Sequence, residues 1–421
     1  MISINSLIKN YTYKLVCFAL LYIAPFSLFS QTRFFDPYFA VGVDYEIEYG
    51  KSFGLVGKSE NLKLDIYQPL DDTLAQRPVI IFAHGGGYII GNKNNFPMET
   101  LCSRFAQMGY VCVSINYSLG FPKKGDPNER AQKTVLMGVH DMKAAIRYLR
   151  ATADSGNPYK LDPNMIWVGG SSAGAISALH AAFTDSSTIA SFNFDVDQYG
   201  GIEGFGGNSS YSSEVQGVIT LSGAIGDTNF IKSNIPVVGI HGTEDPIVPY
   251  KTGIINFNIR LPFQASVPKA RVMGDYEIEK RLNNLNVSNY FLPIYNQGHC
   301  PFDRILDWKH YPIYMDQSIN AVRNFMFNEL WNDGPPIDDM KTVHTTTLSF
   351  ERDGNLWRFY PVDKGLKKIK LFVFDENHNR IKSKKIKKKN KGFVWKSKKL
   401  PNIFTIDAVY NLYRSSWEFT N

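Results

Sequence analysis

Ser172 stands in Gly170-Ser171-Ser172-Ala173-Gly174, directly after the apolar run Met165-Ile166-Trp167-Val168 and directly before the helical pattern Ala175 to Phe183. That setting suits acyl transfer, because small neighbours allow a sharp strand-to-helix turn that projects the hydroxyl above a sheet. A serine hydroxyl is a weak nucleophile until an imidazole takes its proton, and the imidazole needs a carboxylate to fix its tautomer and stabilise its charged form. With this kind of turn the acid follows the serine in the chain, and the histidine follows the acid. After the run Pro236 to Ile240 comes His241-Gly242-Thr243-Glu244-Asp245-Pro246-Ile247-Val248-Pro249. Asp245 is the chosen acid, and spacing alone leaves Glu244 open as its rival. Asn296-Gln297-Gly298-His299 follows Tyr290 to Tyr295, so position and order select His299 as the general base from eight histidines. His241 and His84 each begin a loop and read as shaping it rather than moving protons.

Ester cleavage also builds negative charge on the former carbonyl oxygen. Unhindered backbone N–H groups aimed at that oxygen are worth about 3 kcal/mol each. His84-Gly85-Gly86-Gly87 ends the apolar run Pro78 to Ala83, and glycines permit such close approach. Gly86 and Gly87 are assigned as donors, joined by Ala173, the residue after the nucleophile. A phosphate-binding turn would continue as G-K-[ST] or G-x-G-x-x-G, and this one does not.

These residues need a scaffold that brings strand ends together. Val43 to Tyr49 and Leu62 to Tyr67 alternate as half-buried strands do. Pro78 to Ala83, Val111 to Ile115 and Met165 to Val168 are continuous apolar runs, as in strands covered on both faces. Met98 to Met108, Glu129 to Ala151 and Ser318 to Trp331 carry helical spacing, and Val215 to Leu221, Pro236 to Ile240 and Tyr290 to Tyr295 read as further strands. Such alternation predicts an α/β fold with a mostly parallel central sheet covered by helices. Thr184 to Glu214 lacks periodicity and reads as a long loop. Its Phe192, Phe194, Tyr199, Phe205 and Tyr211 suit either a pocket wall or ordinary packing.

At 421 residues the chain has room for a large domain and a smaller one. Its 44% hydrophobic and 20% charged residues exclude a disordered or fibrous protein. Lys9 and Lys14 precede the apolar stretch Leu15 to Phe29 and the small Ser30, which reads as a signal peptide over 1–30. The stretch is shorter than the ~20 residues of a spanning helix, so the mature form is expected to be exported without a membrane span. Beyond the signal, Cys102, Cys112 and Cys300 are too few for a disulfide framework. Cys102 with Cys112 is a conceivable pair, and buried small hydrophobes are the equal alternative.

Asn332-Asp333-Gly334-Pro335-Pro336 opens a linker over 332–347, which separates a hydrolytic unit over 31–331 from a tail over 348–421. From Lys341 onward nineteen Lys and Arg face seven Asp and Glu, a net of +12, so the remainder of the +7 chain carries −5. Leu348 to Phe359, Lys367 to Phe374, Gly392 to Trp395 and Phe404 to Tyr413 read as strands of a small basic β domain, with Lys382 to Lys391 on a hairpin. A lysine run of this kind discourages strand pairing at a solvated edge, and nothing else in the chain points to nucleic acid.

The glycine turn at His84, the Ser172 turn, the stretch from His241 to Pro249 and Gly298-His299 together resemble the carboxylesterase and lipase branch of the α/β-hydrolase superfamily, over about Val41 to Trp331. The resemblance implies an acyl-enzyme mechanism on a small-molecule or polymer-derived ester, with no metal or organic cofactor. The His-Gly-x-x-Asp-x-x-Val-Pro stretch also looks like the acid loop of prolyl-oligopeptidase-type peptidases, which keeps amide cleavage as an alternative. A catalytically inert binding protein on the same scaffold is another. The basic tail resembles the small β-sandwich sorting or accessory domains of secreted Bacteroidetes-type enzymes.

Overall fold

The run Pro78 to Ala83 folds into a strand in which every residue is buried, and its side chains divide between two cores. Val79, Ile81 and Ala83 join one hydrophobic cluster, while Ile80 and Phe82 join the other. Period-two alternation in a sheet covered on both faces produces this split. The structure, a computed structural model, describes residues 33–52, 60–188, 191–256, 269–307 and 310–331, and seven strands between 348 and 420. The expected signal peptide and linker lie outside the described residues.

In chain order the body comprises β1 (Val41–Lys51), β2 (Asn61–Pro69), β3 (Arg77–Ala83), α1 (Phe96–Met108), β4 (Val111–Ile115), α2 (Pro127–Asp154), β5 (Leu161–Ser171) and α3 (Ala173–Phe183). It continues with β6 (Gly217–Leu221), β7 (Ala224–Ile225), β8 (Val237–Gly242), β9 (Thr252–Ile254), β10 (Arg271–Gly274), α4 (Asp275–Asn284), β11 (Asn289–Ile294) and α5 (Tyr311–Trp331). One 8-stranded sheet has the order β1-β2-β4-β3-β5-β6-β8-β11. β1, β2 and β4 pair antiparallel, and every pair from β4 to β11 is parallel. This is the α/β-hydrolase architecture.

Residues of α2, α3 and α4 fill the cluster on one face, and residues of α1 and α5 fill the other. The order reverses between β3 and β5, so the carboxyl ends of these strands open onto one crevice, where open α/β sheets bind ligands. Helix starts are locally encoded. The Asp126 carboxylate accepts from the N–H groups of Asn128 and Glu129 at 2.8 and 3.2 Å, and Pro127 supplies a first helical residue that needs no donor.

The structure differs from the sequence reading at three places. β7, β10 and β9 form a separate 3-stranded sheet that the periodicity does not reveal, since strands of two to four residues carry no pattern. α5 begins at Tyr311 rather than Ser318, because Pro312 falls in its first turn, where a missing N–H costs nothing. In the tail, Leu348 to Phe359 is two strands, β12 (Leu348–Asp353) and β13 (Leu356–Pro361), with Asp353 paired to Leu356.

The tail continues with β14 (Lys368–Asp375), β15 (Arg380–Lys387), β16 (Phe393–Lys396), β17 (Ile403–Tyr410) and β18 (Tyr413–Thr420), in sheets ordered β12-β13-β16 and β15-β14-β17-β18. The tail strands are all paired antiparallel. Lys382 to Lys387 lie within an edge strand that is the second arm of the antiparallel β14-β15 pair, a position where lysines oppose further pairing. Residues 388–391 lie outside the described residues. Cys102, Cys112 and Cys300 are all buried and unpaired.

Candidate active site

β5 delivers Ser172. The strand ends at Ser171, and Ser172 turns the chain into α3 with φ 53° and ψ −116°, a left-handed conformation that costs a non-glycine residue of order 1–3 kcal/mol. The turn is held from both sides. Ser172 N–H donates to Leu221 O at 2.9 Å, and the Ser172 carbonyl accepts from Ile176 N–H at 3.0 Å. Close packing explains the second glycine of the motif: a Cβ on Gly174 would fall 2.1 Å from the Ala83 carbonyl oxygen of the neighbouring strand. The Tyr88 hydroxyl steadies the start of α3, donating to Ala173 O at 2.9 Å and lying 2.9 Å from Ser177 Oγ.

β8 and β11 deliver the other two groups to the same edge. His299 Nε2 lies 2.8 Å from Ser172 Oγ, and His299 Nδ1 lies 2.6 Å from Asp245 Oδ2. The other Asp245 oxygen accepts from the N–H groups of Ile247 and Val248 at 2.8 and 2.9 Å. One oxygen of Asp245 is therefore held by its own loop, and the other is presented to the imidazole. The Asp245 side chain is fully buried. Of the two neighbouring carboxylates, Glu244 and Asp245, the second is the one bonded to His299. Burial works against the charge on Asp245, but the hydrogen bonds from His241 and His299 outweigh it and hold the carboxyl well below its ordinary range. Burial likewise works against a charged His299, and the Cys300 sulfur and Asp245 beside it outweigh that, holding the imidazole above its usual value. The imidazole is thus oriented, basic and in contact with the hydroxyl.

Gly86 and Gly87 line a cavity of about 350 Å³ together with Ser172 and His299. Gly86 has φ +118°, and a Cβ there would sit 1.9 Å from the Ile90 carbonyl oxygen, so only glycine fits. Its own carbonyl accepts from the N–H groups of Ile89 and Ile90 at 3.1 and 3.2 Å, which tightens the turn. Ala173 opens α3, where first-turn N–H groups lack intrahelical partners. His84 sits behind the turn: its ring stacks on Tyr117 with centroids 4.4 Å apart, and its Nδ1 donates to Gly85 O at 2.6 Å. Burial pushes its pKa down to about 4, so it stays neutral and structural.

The cavity wall is mostly apolar. Met98 and Ile247 line it, and Ile90, Ile305 and Leu306 line it while remaining 50%, 75% and 50% exposed, so its mouth offers uncovered hydrophobic surface. None of the aromatics of the 184–214 segment lines this cavity. Phe192 instead borders a separate cavity of about 370 Å³ between α2 and α3. The segment is tied to α2: Arg147 donates to the carbonyls of Gly206 and Gly207 at 2.5 and 3.1 Å and pairs with Glu203 at 2.8 Å. Among the described residues no group of three His, Cys, Asp or Glu could hold a metal ion, and no helix is long and apolar enough to cross a membrane.

The structure also brings in Asp275, which sequence reasoning passes over, and sets His241, read from sequence as shaping its loop, against the acid itself. His241 Nε2 lies 3.1 Å from Asp245 Oδ2, and His241 Nδ1 lies 3.2 Å from Asp275 Oδ2. Asp275 begins α4, whose acidic first turn is a readable helix-start signal, but nothing in the sequence links that helix to the acid loop.

A family model described as BD-FAE matches residues 64–232, which include the glycine turn and Ser172 and end before Asp245 and His299. Gut esterase 1 of Caenorhabditis elegans is 30% identical over 119 residues, 28% of this chain and 20% of that protein. Esterase LipQ of Mycobacterium tuberculosis is 36% identical over 130 residues, 30% of this chain and 27% of that protein. The chain thus spans only about a quarter of the length of these relatives. Among solved structures, Thermogutta terrifontis esterase 2 phosphorylated by paraoxon aligns with a TM-score of 0.48 at 20% identity, covering 70% of this chain and 96% of that one.

Proposed function

We propose that this protein is an exported serine carboxylesterase, hydrolysing carboxylic esters through Ser172, His299 and Asp245. The observation that carries the reading is the continuous contact from Asp245 through His299 to Ser172, at the mouth of an apolar cavity lined by glycine backbone. His299 takes the Ser172 proton as the oxygen attacks the ester carbonyl, and the developing oxyanion meets the N–H groups of Gly86, Gly87 and Ala173. The tetrahedral species collapses when His299 passes that proton to the departing alcohol. Water then loses a proton to His299 as its oxygen attacks the acyl carbon, and His299 returns that proton to Ser172 Oγ as the acyl–Oγ bond breaks and the acid leaves. The cavity volume is that of a small-ligand site, in keeping with one ester group and a modest acyl or alcohol part. Similarity to proteins named as esterases supports the reaction class. Export rests on the basic and apolar pattern of residues 1–30.

Turnover of p-nitrophenyl acetate and butyrate by the full chain and by Ser172→Ala tests the reading. Hydrolysis by the first and its loss in the second are the expected result. Equal activity in both would sink the assignment of Ser172. Faster cleavage of proline-containing amides than of esters would move the protein to the peptidases, and failure to label with a fluorophosphonate would make it an inert scaffold.

A further inference from the structure

Asp245 Oδ2 has two imidazole partners rather than one. His299 Nδ1 approaches it at 2.6 Å, and His241 Nε2 at 3.1 Å. His241 lies in β8 and is 1% exposed. Its Nε2 is also 3.0 Å from the Val248 carbonyl oxygen. A carboxylate and a carbonyl oxygen both accept, so Nε2 must carry a hydrogen. On the far side of the ring, Nδ1 is 3.2 Å from Asp275 Oδ2, within ion-pair reach though not aligned as a hydrogen bond. Asp275 is equally buried, and its other oxygen accepts from the Thr220 hydroxyl at 3.1 Å. Asp275 thus faces Nδ1 of His241 as Asp245 faces Nδ1 of His299, though without an aligned hydrogen bond, and Asp245 Oδ2 is the atom that both imidazoles reach.

We infer that His241, held by Asp275, is a positioning residue that fixes Asp245 and, through it, sets how tightly His299 holds the serine proton. The inference rests on the esterase reading of Ser172 and His299 and adds a residue to that machinery. The groups facing His241 are Asp245 from its own loop, Asp275 from α4 and the ring of Tyr250 at 5.5 Å. Those facing His299 are Asp245, Cys300 and Asp303. Burial disfavours charge on His241 and also raises the Asp275 carboxyl, but the hydrogen bonds and charge of Asp245 and Asp275 outweigh burial at the ring and push its pKa up to about 9, which favours the imidazolium at neutral pH. A cation in contact with Asp245 offsets part of the field that this carboxylate exerts on His299. It therefore restrains the basicity of His299, which must release its proton to the leaving alcohol in every cycle. Its N–H also occupies the side of Oδ2 that His299 does not, leaving the carboxylate one orientation.

The test compares the pH dependence of kcat/KM for wild type, His241→Gln and Asp275→Asn with p-nitrophenyl acetate, alongside the downfield imidazole N–H proton resonances. His241→Gln keeps a neutral donor near Asp245 and removes the cation. Its acid limb is expected to move to higher pH by about one unit, with KM nearly unchanged, because an adjacent opposite charge shifts a titration by that order. Asp275→Asn, which is isosteric, should move the limb in the same direction by less and covers the case in which His241→Gln folds poorly. Wild type should show one downfield resonance for each imidazole bonded to Asp245, and His241→Gln should lose one of them. An acid limb that stays in place in both variants while melting temperature falls would leave His241 a purely structural contact and overturn the inference. Absence of Ser172-dependent turnover in wild type would defeat the esterase reading instead, while the resonances still report whether His241 bonds Asp245.

Discussion

His299 Nε2 and Ser172 Oγ lie 2.8 Å apart across 127 residues of chain. The separation is spanned by β6, β8 and β11, each parallel to its neighbour, so their carboxyl ends reach the same edge as the end of β5. The loop after each strand then has only a few residues with which to place a side chain. Asp245 comes three residues after β8, and His299 five residues after β11. A short, strand-anchored loop positions a side chain far more tightly than a long one does.

The carboxylate is the first group to test. Asp245→Asn preserves shape but replaces Oδ2 with an atom or tautomer that no longer suits the Nδ1–H of His299. We expect kcat for p-nitrophenyl butyrate to fall roughly ten-thousand-fold with the backbone intact. Steady-state kinetics together with circular dichroism check this. A fall of less than about tenfold would point to Glu244 or to no acid at all.

The pH profile follows from the raised titration of His299. Only neutral imidazole accepts the serine proton, so kcat/KM should rise with pH as His299 loses its proton. Because burial is outweighed by Cys300 and Asp245, that loss comes above the ordinary 6.5. The acid limb is therefore expected above pH 6.5 and should move down in Asp245→Asn, where the charge is gone. A wild-type limb at or below 6.5, read from initial rates between pH 5 and 9, would contradict the electrostatics described here.

What the sequence makes legible is local chemistry with a fixed place on a strand. The turn at Ser172, the glycines after β3 and the two loops after β8 and β11 each combine a strand signal with a breaker-rich end, so order along the chain stands in for position in space. Asp275 is not legible in this way. It touches His241 only because β10 and α4 return beside the acid loop, and strands of three and four residues leave no periodic trace. The aromatics of the 184–214 segment leave pocket wall and ordinary packing open in the sequence, and Phe192, Phe194 and Tyr199 pack against Leu136, Val196 and Ile202. The segment's tether is set by Arg147, Lys143 and Arg150 on α2, whose partners are backbone carbonyls and a carboxylate that no pattern predicts.

The anion site should be sensitive to a single methyl group. At Gly86 an alanine meets both a positive φ and the Ile90 carbonyl at 1.9 Å, so the turn must shift. Displacing one oxyanion donor typically costs about a hundred- to a thousand-fold in kcat. Gly86→Ala is expected to lose activity on that scale while KM changes little, because the donors bind developing charge rather than the resting ester. A proportionate loss in KM would mean that the turn serves substrate binding instead.

The loop that borders the same cavity at Asn92 is anchored by a buried ion pair. Lys93 follows Asn92, which lines the cavity, and its ammonium lies 2.9 Å from Asp65 Oδ1 with both side chains nearly inaccessible, while also contacting the half-exposed Glu46. Its backbone is pinned as well, with Lys93 N–H donating to Asn116 Oδ1 at 2.7 Å and its carbonyl accepting from Ser114 Oγ at 2.7 Å. Removing one partner of such a pair leaves an uncompensated buried charge, a loss of about 3 kcal/mol or more. Lys93→Ala should therefore lower stability in a urea melt by that amount. Lys93→Ala combined with Asp65→Leu should recover part of it, since no charge is then stranded. If the double variant is as unstable as the single one, the loop owes its place to the lysine stem and backbone bonds rather than to the pair.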